Sequence, residues 1–147
     1  MDDVTMLSAT VGAAALRIPK THPLTTTVGE ARAAFEDAHV HMLLLTANGF
    51  LLGTLVRGDL PATAGDGELA LVYAVTAGRT VAPSVNAEVM RRVLVARGDR
   101  RRAVVSRDGR LLGLLCLKGS ATGFCTDADV AERAIERLVT HSRGCLR

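Results

Sequence analysis

The sequence predicts an α/β (α+β) fold in which two pseudo-symmetric β-α-β-β-α units pack together as one module. Three observations carry this. Asn48-Gly49-Phe50-Leu51-Leu52-Gly53 recurs as Asp108-Gly109-Arg110-Leu111-Leu112-Gly113. Each copy follows an apolar run, Met42 to Leu45 and Ala103 to Val105. Asn-Gly or Asp-Gly between two apolar runs is a strong hairpin signal, because these residues tolerate the positive φ of a type I′ turn. A helix start lies upstream of each hairpin, so the chain repeats one supersecondary unit.

The elements follow in order. Thr10 to Leu16 is a short helix, and Ile18 to Thr27 leads into the first unit. Thr27-Val28-Gly29-Glu30 is a capping box, in which hydroxyl and carboxylate satisfy reciprocal orphan amides. Val28, Ala31, Phe35 and Ala38 follow at helical spacing as a buried stripe. After the first hairpin, Arg57-Gly58-Asp59-Leu60-Pro61 begins a helical turn that Pro61 tolerates only near its start. Leu69 to Val75 and Gly78 to Val85 repeat the lead-in. Asn86 caps the second helix, with Val89, Met90, Val93 and Leu94 as its stripe and Gly98 as its end. Thr126-Asp127-Ala128-Asp129 opens a closing helix with Val130, Ala134, Ile135 and Leu138 on one face. The chain therefore divides into a first repeat over 10–61, a linker over 62–70, a second repeat with closing helix over 71–141 and a frayed tail over 142–147. Neither unit buries enough apolar surface alone, so the two pack face to face.

Composition bounds the function. At 147 residues and 48% hydrophobic, the chain supports one core, and with 3% aromatics and no Trp that core is Ala, Val and Leu. Few aromatics argue against a stacking platform for nucleic-acid bases. The acidic start Met1-Asp2-Asp3 is unlike a secretory signal, and no apolar run reaches the ~18–20 residues of a membrane span, so the protein is expected in the cytoplasm. Cys116, Cys125 and Cys145 are odd in number and lack the close pairing of a zinc knuckle or redox motif, which reads as reduced thiols, with Cys116 an inert thiol among leucines. His39 and His41 alternate along the start of a strand as hydrogen-bonded or solvated imidazoles, and no metal is expected. The formal charge is +3, with the excess at Arg97, Arg100, Arg101, Arg102, Arg107 and Arg110. That cluster is either a solvated helix end and strand edge or a phosphate contact, with Arg100, Arg101 and Arg102 as the candidates. No nucleophile elbow, P-loop or dinucleotide fingerprint occurs, so an enzyme is not expected.

A helix, a glycine-hydrophobic hairpin and then a G-h-x-T-x-x-D pattern leading a second helix resembles the CBS domain, named after cystathionine beta-synthase, and specifically a tandem CBS pair. The second repeat, from Leu111 to Lys118 and on through Thr122 to Val130, is similar to small stand-alone actinobacterial CBS proteins. The resemblance implies a regulatory module that binds AMP, ATP or S-adenosylmethionine between its halves, requires no cofactor, and modulates an as yet unidentified protein partner. It also implies a homodimer.

Residue by residue, Gly53-Thr54-Leu55-Val56-Arg57-Gly58-Asp59 puts Asp59 at the family's ribose-binding position and Val56 where a phosphate-facing Thr is expected, with Thr54 or Arg57 to compensate. In the second repeat Cys116 replaces the Thr and Gly119 replaces the Asp. The resemblance thus implies one ordinary site around Asp59, with Lys20, Thr21 and His22 as neighbours. The alternative is that Asp59 is a local cap and the chain is a structural or dimerisation module with degenerate nucleotide sites.

Overall fold

The computed structural model describes residues 9–129 and residue 135. Two three-stranded mixed sheets form the frame. In the first, β1 (His22–Pro23) runs parallel to β2 (Leu43–Ala47), which pairs antiparallel with β3 (Phe50–Leu55). In the second, β4 (Thr80–Val81) runs parallel to β5 (Arg101–Val105), which pairs antiparallel with β6 (Leu111–Cys116). A helix crosses between the first two strands of each sheet, α2 (Val28–Ala34) and α3 (Ala87–Arg97), with α1 (Val11–Ala14) preceding both. Among the described residues no helix is long and apolar enough to cross a membrane.

The hairpins are equivalent in register but not in turn chemistry. Asn48 and Gly49 both have positive φ (52° and 84°), as a type I′ turn requires. At the second hairpin only Gly109 (φ 92°) does. There Ser106 and Asp108 bond to each other through their side chains, and Ser106 Oγ accepts from the Arg110 amide at 3.0 Å. Those bonds hold a longer loop, so the type I′ expectation fails at Asp108.

Thr27 and Glu30 form the predicted capping box, and Val28 and Ala31 are fully buried beneath α2. The helix stops at Ala34, and Ala38 is exposed beyond its end. The stripe on α3 also differs from the expected one. Ala87, Met90 and Leu94 face the core, whereas Val89 and Val93 are 55% and 36% exposed. Val89 and Val93 lie four residues apart on one face, and α1 covers the other face through Val11 and Ala15. Asn86 caps α3 and Gly98, at φ 70°, ends it. The closing helix begins as predicted, with Thr126 and Asp129 bonding reciprocally. Val130, Ala134, Leu138 and the tail lie outside the described residues, and Ile135 is 61% exposed.

Each lead-in segment packs on the opposite half. The turn capped by Thr10 bridges to Asn86, the cap of α3, and the 3-10 turn Ala70–Tyr73, preceded by Leu69, bridges to Thr27, the cap of α2. Leu16 exchanges both backbone hydrogen bonds with Leu114, and Val75 does so with Thr54. These reciprocal contacts define an approximate dyad. They also explain Gly53 and Gly113: a Cβ would stand 2.4 Å from the Ala74 Cβ in one case and 2.5 Å from the Leu16 carbonyl oxygen in the other. The connecting residues 62–70 pack onto α2, with Ala64 and Ala70 buried and Asp66 in an ion pair with Arg32 at 2.5 Å.

At the dyad the two hairpin tips pair with each other. Leu51 and Leu111 donate to the carbonyls of Gly109 and Gly49, and the Arg110 guanidinium lies 4.8 Å from the centroid of the Phe50 ring. Leu44, Leu51 and Ala103 form a small core between the sheets, distinct from the larger core of each half.

Candidate functional site

Two grooves lie where the lead-in of one half meets the strand end of the other, and they are related by the dyad. Equivalent positions follow from the pairing. His22 pairs with Leu45, opposite Gly53, and Val81 pairs with Val104, opposite Gly113. Lys20 is therefore the counterpart of Arg79, and Met42 of Arg101.

The larger groove, about 830 Å³, is mostly apolar. Leu16, Ile18, Pro19, Val40, Met42 and Leu114 are among its apolar lining residues, and Lys20, His22, His39, His41 and Cys116 also line it. The second groove, about 490 Å³, is polar. Arg79, Arg97, Arg100, Arg101 and Arg102 line it with Val56, Val75 and the carboxylate Asp99. His41, Met42 and Arg101 belong to both walls, so the grooves adjoin at the dyad.

Asp59 sits beside the arginine groove, held from two sides. Its carboxylate accepts the Val56 amide at 2.8 Å and receives both terminal nitrogens of Arg79, one at 2.8 Å. Burial would raise its pKa; the Arg79 hydrogen bonds, the Val56 amide and the Arg79 charge more than offset this and hold it below the usual carboxylate value. Arg79 is correspondingly raised, chiefly by its hydrogen bonds to Asp59. Asp59 thus ends a short 3-10 turn, Arg57–Asp59, bonding back to the amide of its N-cap residue Val56, and is at the same time an ion-pair partner across the halves.

The other sequence-predicted residues are not all gathered there. Lys20 and His22 line the apolar groove, on the opposite side of the dyad from the arginine groove, and Thr21 is exposed beside them. The reason is the exchange of lead-ins: the segment that reaches Asp59 belongs to the second half, not to its own. Thr54 is fully buried and donates its hydroxyl to the Val75 carbonyl at 2.5 Å, which commits it to the sheet. Arg57 donates to the carbonyls of Phe35 and Asp37 at 2.9 and 2.7 Å and lies over the Phe35 ring, so it caps the C-terminus of α2. Val56 does line the arginine groove, as do Arg100, Arg101 and Arg102.

Arg102 is buried and pairs with Asp99 at 3.1 Å, while Arg100 donates to the Leu117 carbonyl at 3.1 Å. Five arginines thus line one pocket with Asp99 as the carboxylate among them. The His41 pKa is lowered by burial and then by Arg101, Arg100, Arg57 and His39. His22 is lowered by burial and Lys20, against Glu30. Both shifts favour the neutral imidazole. Among the described residues no three His, Cys, Asp or Glu side chains are placed to hold a metal ion.

Arg79 is the residue that sequence reasoning missed. A signal existed, since Arg79 precedes β4 as Lys20 precedes β1. In the second half Gly119 stands where Asp59 stands in the first, so Lys20 meets no carboxylate from that position.

No family model and no curated protein matches the sequence. Solved structures do match the fold. A crystal structure of CBSX2 in complex with AMP is 22% identical with a TM-score of 0.62, over 87% of this chain and 97% of that one. The cystathionine beta-synthase pair domain of a putative Mg2+ transporter from Shewanella oneidensis MR-1 is 18% identical with a TM-score of 0.65, over 86% and 72%. A putative acetoin utilization protein, AcuB, from Vibrio cholerae is 21% identical with a TM-score of 0.59, over 91% and 96%. The fold is that of a tandem CBS pair.

Proposed function

We propose that this chain is a non-catalytic regulatory module that takes an adenine nucleotide between its halves, with the phosphates in the arginine groove and the ribose against Asp59. One observation carries the reading: Arg79, Arg97, Arg100, Arg101 and Arg102 line one polar groove that also holds Val56 of the motif and adjoins Asp59. Convergent guanidinium groups suit phosphate, whose oxygens they bind in bidentate fashion. The AMP bound by the similarly folded CBSX2 supports the same ligand class.

The Arg79–Asp59 pair supplies the means of regulation. Ribose hydroxyls donating to Asp59 and phosphate accepting from Arg79 replace a bond that ties the first half to the second. The ligand then has differential affinity for two arrangements of the halves, which any ligand-driven shift requires. A protein partner that contacts both halves reads the change. The reading places the module in the cytoplasm, where adenine nucleotides are abundant.

Calorimetry tests it with AMP, ATP and S-adenosylmethionine against the wild type, Asp59→Ala and Arg101→Ala. Both nucleotides should bind, ATP more tightly, and each substitution should weaken them at least about tenfold, as loss of a charged hydrogen bond worth ~1.5–3 kcal/mol implies. S-adenosylmethionine lacks phosphate and should bind least. Absence of nucleotide binding, or indifference to both substitutions, rejects the proposal.

The competing reading is a dimerisation module with degenerate sites. It draws on the satisfied state of Asp59 and on the exposed Val89 and Val93 of α3. A stable homodimer in sedimentation, with no nucleotide response, selects it.

A further inference from the structure

Beyond the end of β6 the chain turns back on itself. Leu117 bridges antiparallel to Phe124, the Lys118 amide donates to the Gly123 carbonyl at 2.9 Å, and the Cys125 amide donates to the Cys116 carbonyl at 2.7 Å. This register puts Cys116 and Cys125 directly opposite each other. Opposed residues in an antiparallel pair project to the same face, and both cysteines are buried in one cluster with Leu16. The Cα atoms of directly opposed antiparallel residues are ~4.5–5.5 Å apart, inside the ~4.4–6.8 Å range of disulfides. Cys116, though only 3% exposed, is also one of the residues lining the apolar groove, so that groove is the side from which a small molecule would approach it.

We propose that Cys116 and Cys125 form a reversible dithiol–disulfide site whose oxidant is a small hydroperoxide entering through the apolar groove. One sulfur attacks the peroxide, the O–O bond breaks, and an alcohol (water, for hydrogen peroxide) leaves as a sulfenic acid forms. The second sulfur displaces the sulfenic oxygen as water. The two thiols together lose two electrons and two protons, and the S–S bond forms. A dithiol exchange reverses it. Disulfides that come and go in this way are the kind found in reducing compartments.

The site has a structural consequence for the groove. The bond closes the loop Leu117–Phe124 onto β6. That loop leads to Thr126 and Asp127, and the Asp127 carboxylate accepts the Arg17 amide at 3.2 Å in the wall of the same groove. Oxidation therefore fixes one side of the apolar groove. The inference rests on this register, the shared buried cluster and the groove beside it, and it stands whether or not a nucleotide binds.

The test uses the full chain carrying Cys145→Ser, since Cys145 lies outside the described residues. The protein is treated with hydrogen peroxide, alkylated, denatured and digested with trypsin. Cleavage at Lys118 separates the two cysteines, so the disulfide yields residues 111–118 linked to residues 119–133, reduced by dithiothreitol to the separate peptides. Cys125→Ser should abolish the linked pair and leave a sulfenic acid at Cys116 that dimedone traps. Sulfinic acid on either cysteine, a disulfide between chains, or two thiols that alkylate unchanged after peroxide would each overturn the proposal.

Discussion

Arg79 and Asp59 come from opposite halves of the molecule, and each satisfies the other through two parallel hydrogen bonds. Their side chains are only 21% and 12% exposed, so the pair is shielded from the water that cancels most surface ion pairs. It is the point at which the two repeats are most directly tied by charge.

Asp59→Asn should therefore destabilise the fold by about 1–3 kcal/mol, because it leaves the partly buried Arg79 without its counter-charge. Chemical denaturation measures this, and a loss below about 1 kcal/mol would show that the pair does not hold the halves together. The same carboxyl gives a pH dependence. Its folded pKa is depressed, so its contribution is complete above the ordinary value of about 4 and is lost as pH falls through the lower folded value. The wild type should lose stability with acid in that window, and Asp59→Asn should flatten the loss.

Gly53→Ala and Gly113→Ala should each cost about 2–3 kcal/mol, since the new methyl meets Ala74 or the Leu16 carbonyl inside contact distance. Gly58→Ala, where nothing lies within 4 Å, is the control and should stay within about 0.5 kcal/mol of the wild type. Thermal unfolding of the three variants compares them. Equal effects would mean that the lead-in segments do not pack on the hairpins.

Glu88 on α3 receives bonds from Arg91 and Arg92. The Arg91 hydrogen bonds lower its pKa most, burial opposes them, and the two arginine charges add, bringing it to about 2. A carbon-detected titration of the carboxylate should give a midpoint near that value. In Arg91→Ala the midpoint should rise toward the ordinary range.

Thr27→Ala removes the hydroxyl that accepts the Glu30 amide at 3.1 Å, one arm of the capping box. The expected cost is about 1 kcal/mol, and Thr27→Ser should restore most of it. Equilibrium denaturation of both variants checks the pair.

Local chemistry is what the sequence displays best. The capping box at Thr27 and Glu30, the cap at Asn86, the end at Gly98 and the turn at Asn48-Gly49 each depend on a few consecutive residues, so their identities were enough. Val89 and Val93 show the limit of periodicity. Four residues apart, they mark one face of α3 as apolar, but which face is covered depends on α1, and α1 arrives from far upstream in the chain. Turn type at Asp108-Gly109 likewise escaped, because the side chains of Ser106 and Asp108 chose a longer loop.

The sequence by itself determined the repeat, the two hairpins and the unequal motif, with Asp59 in one half and Gly119 in the other. Only the tertiary structure decided which lead-in reaches which motif, setting Arg79 rather than Lys20 against Asp59 and gathering five arginines in one groove while leaving the other apolar. The physical reason is that a chain records neighbours along its length, whereas the lead-ins cross the dyad to bury Leu16 against Leu114 and to pair Val75 with Thr54. That exchange is settled by burial and backbone hydrogen bonding between distant segments.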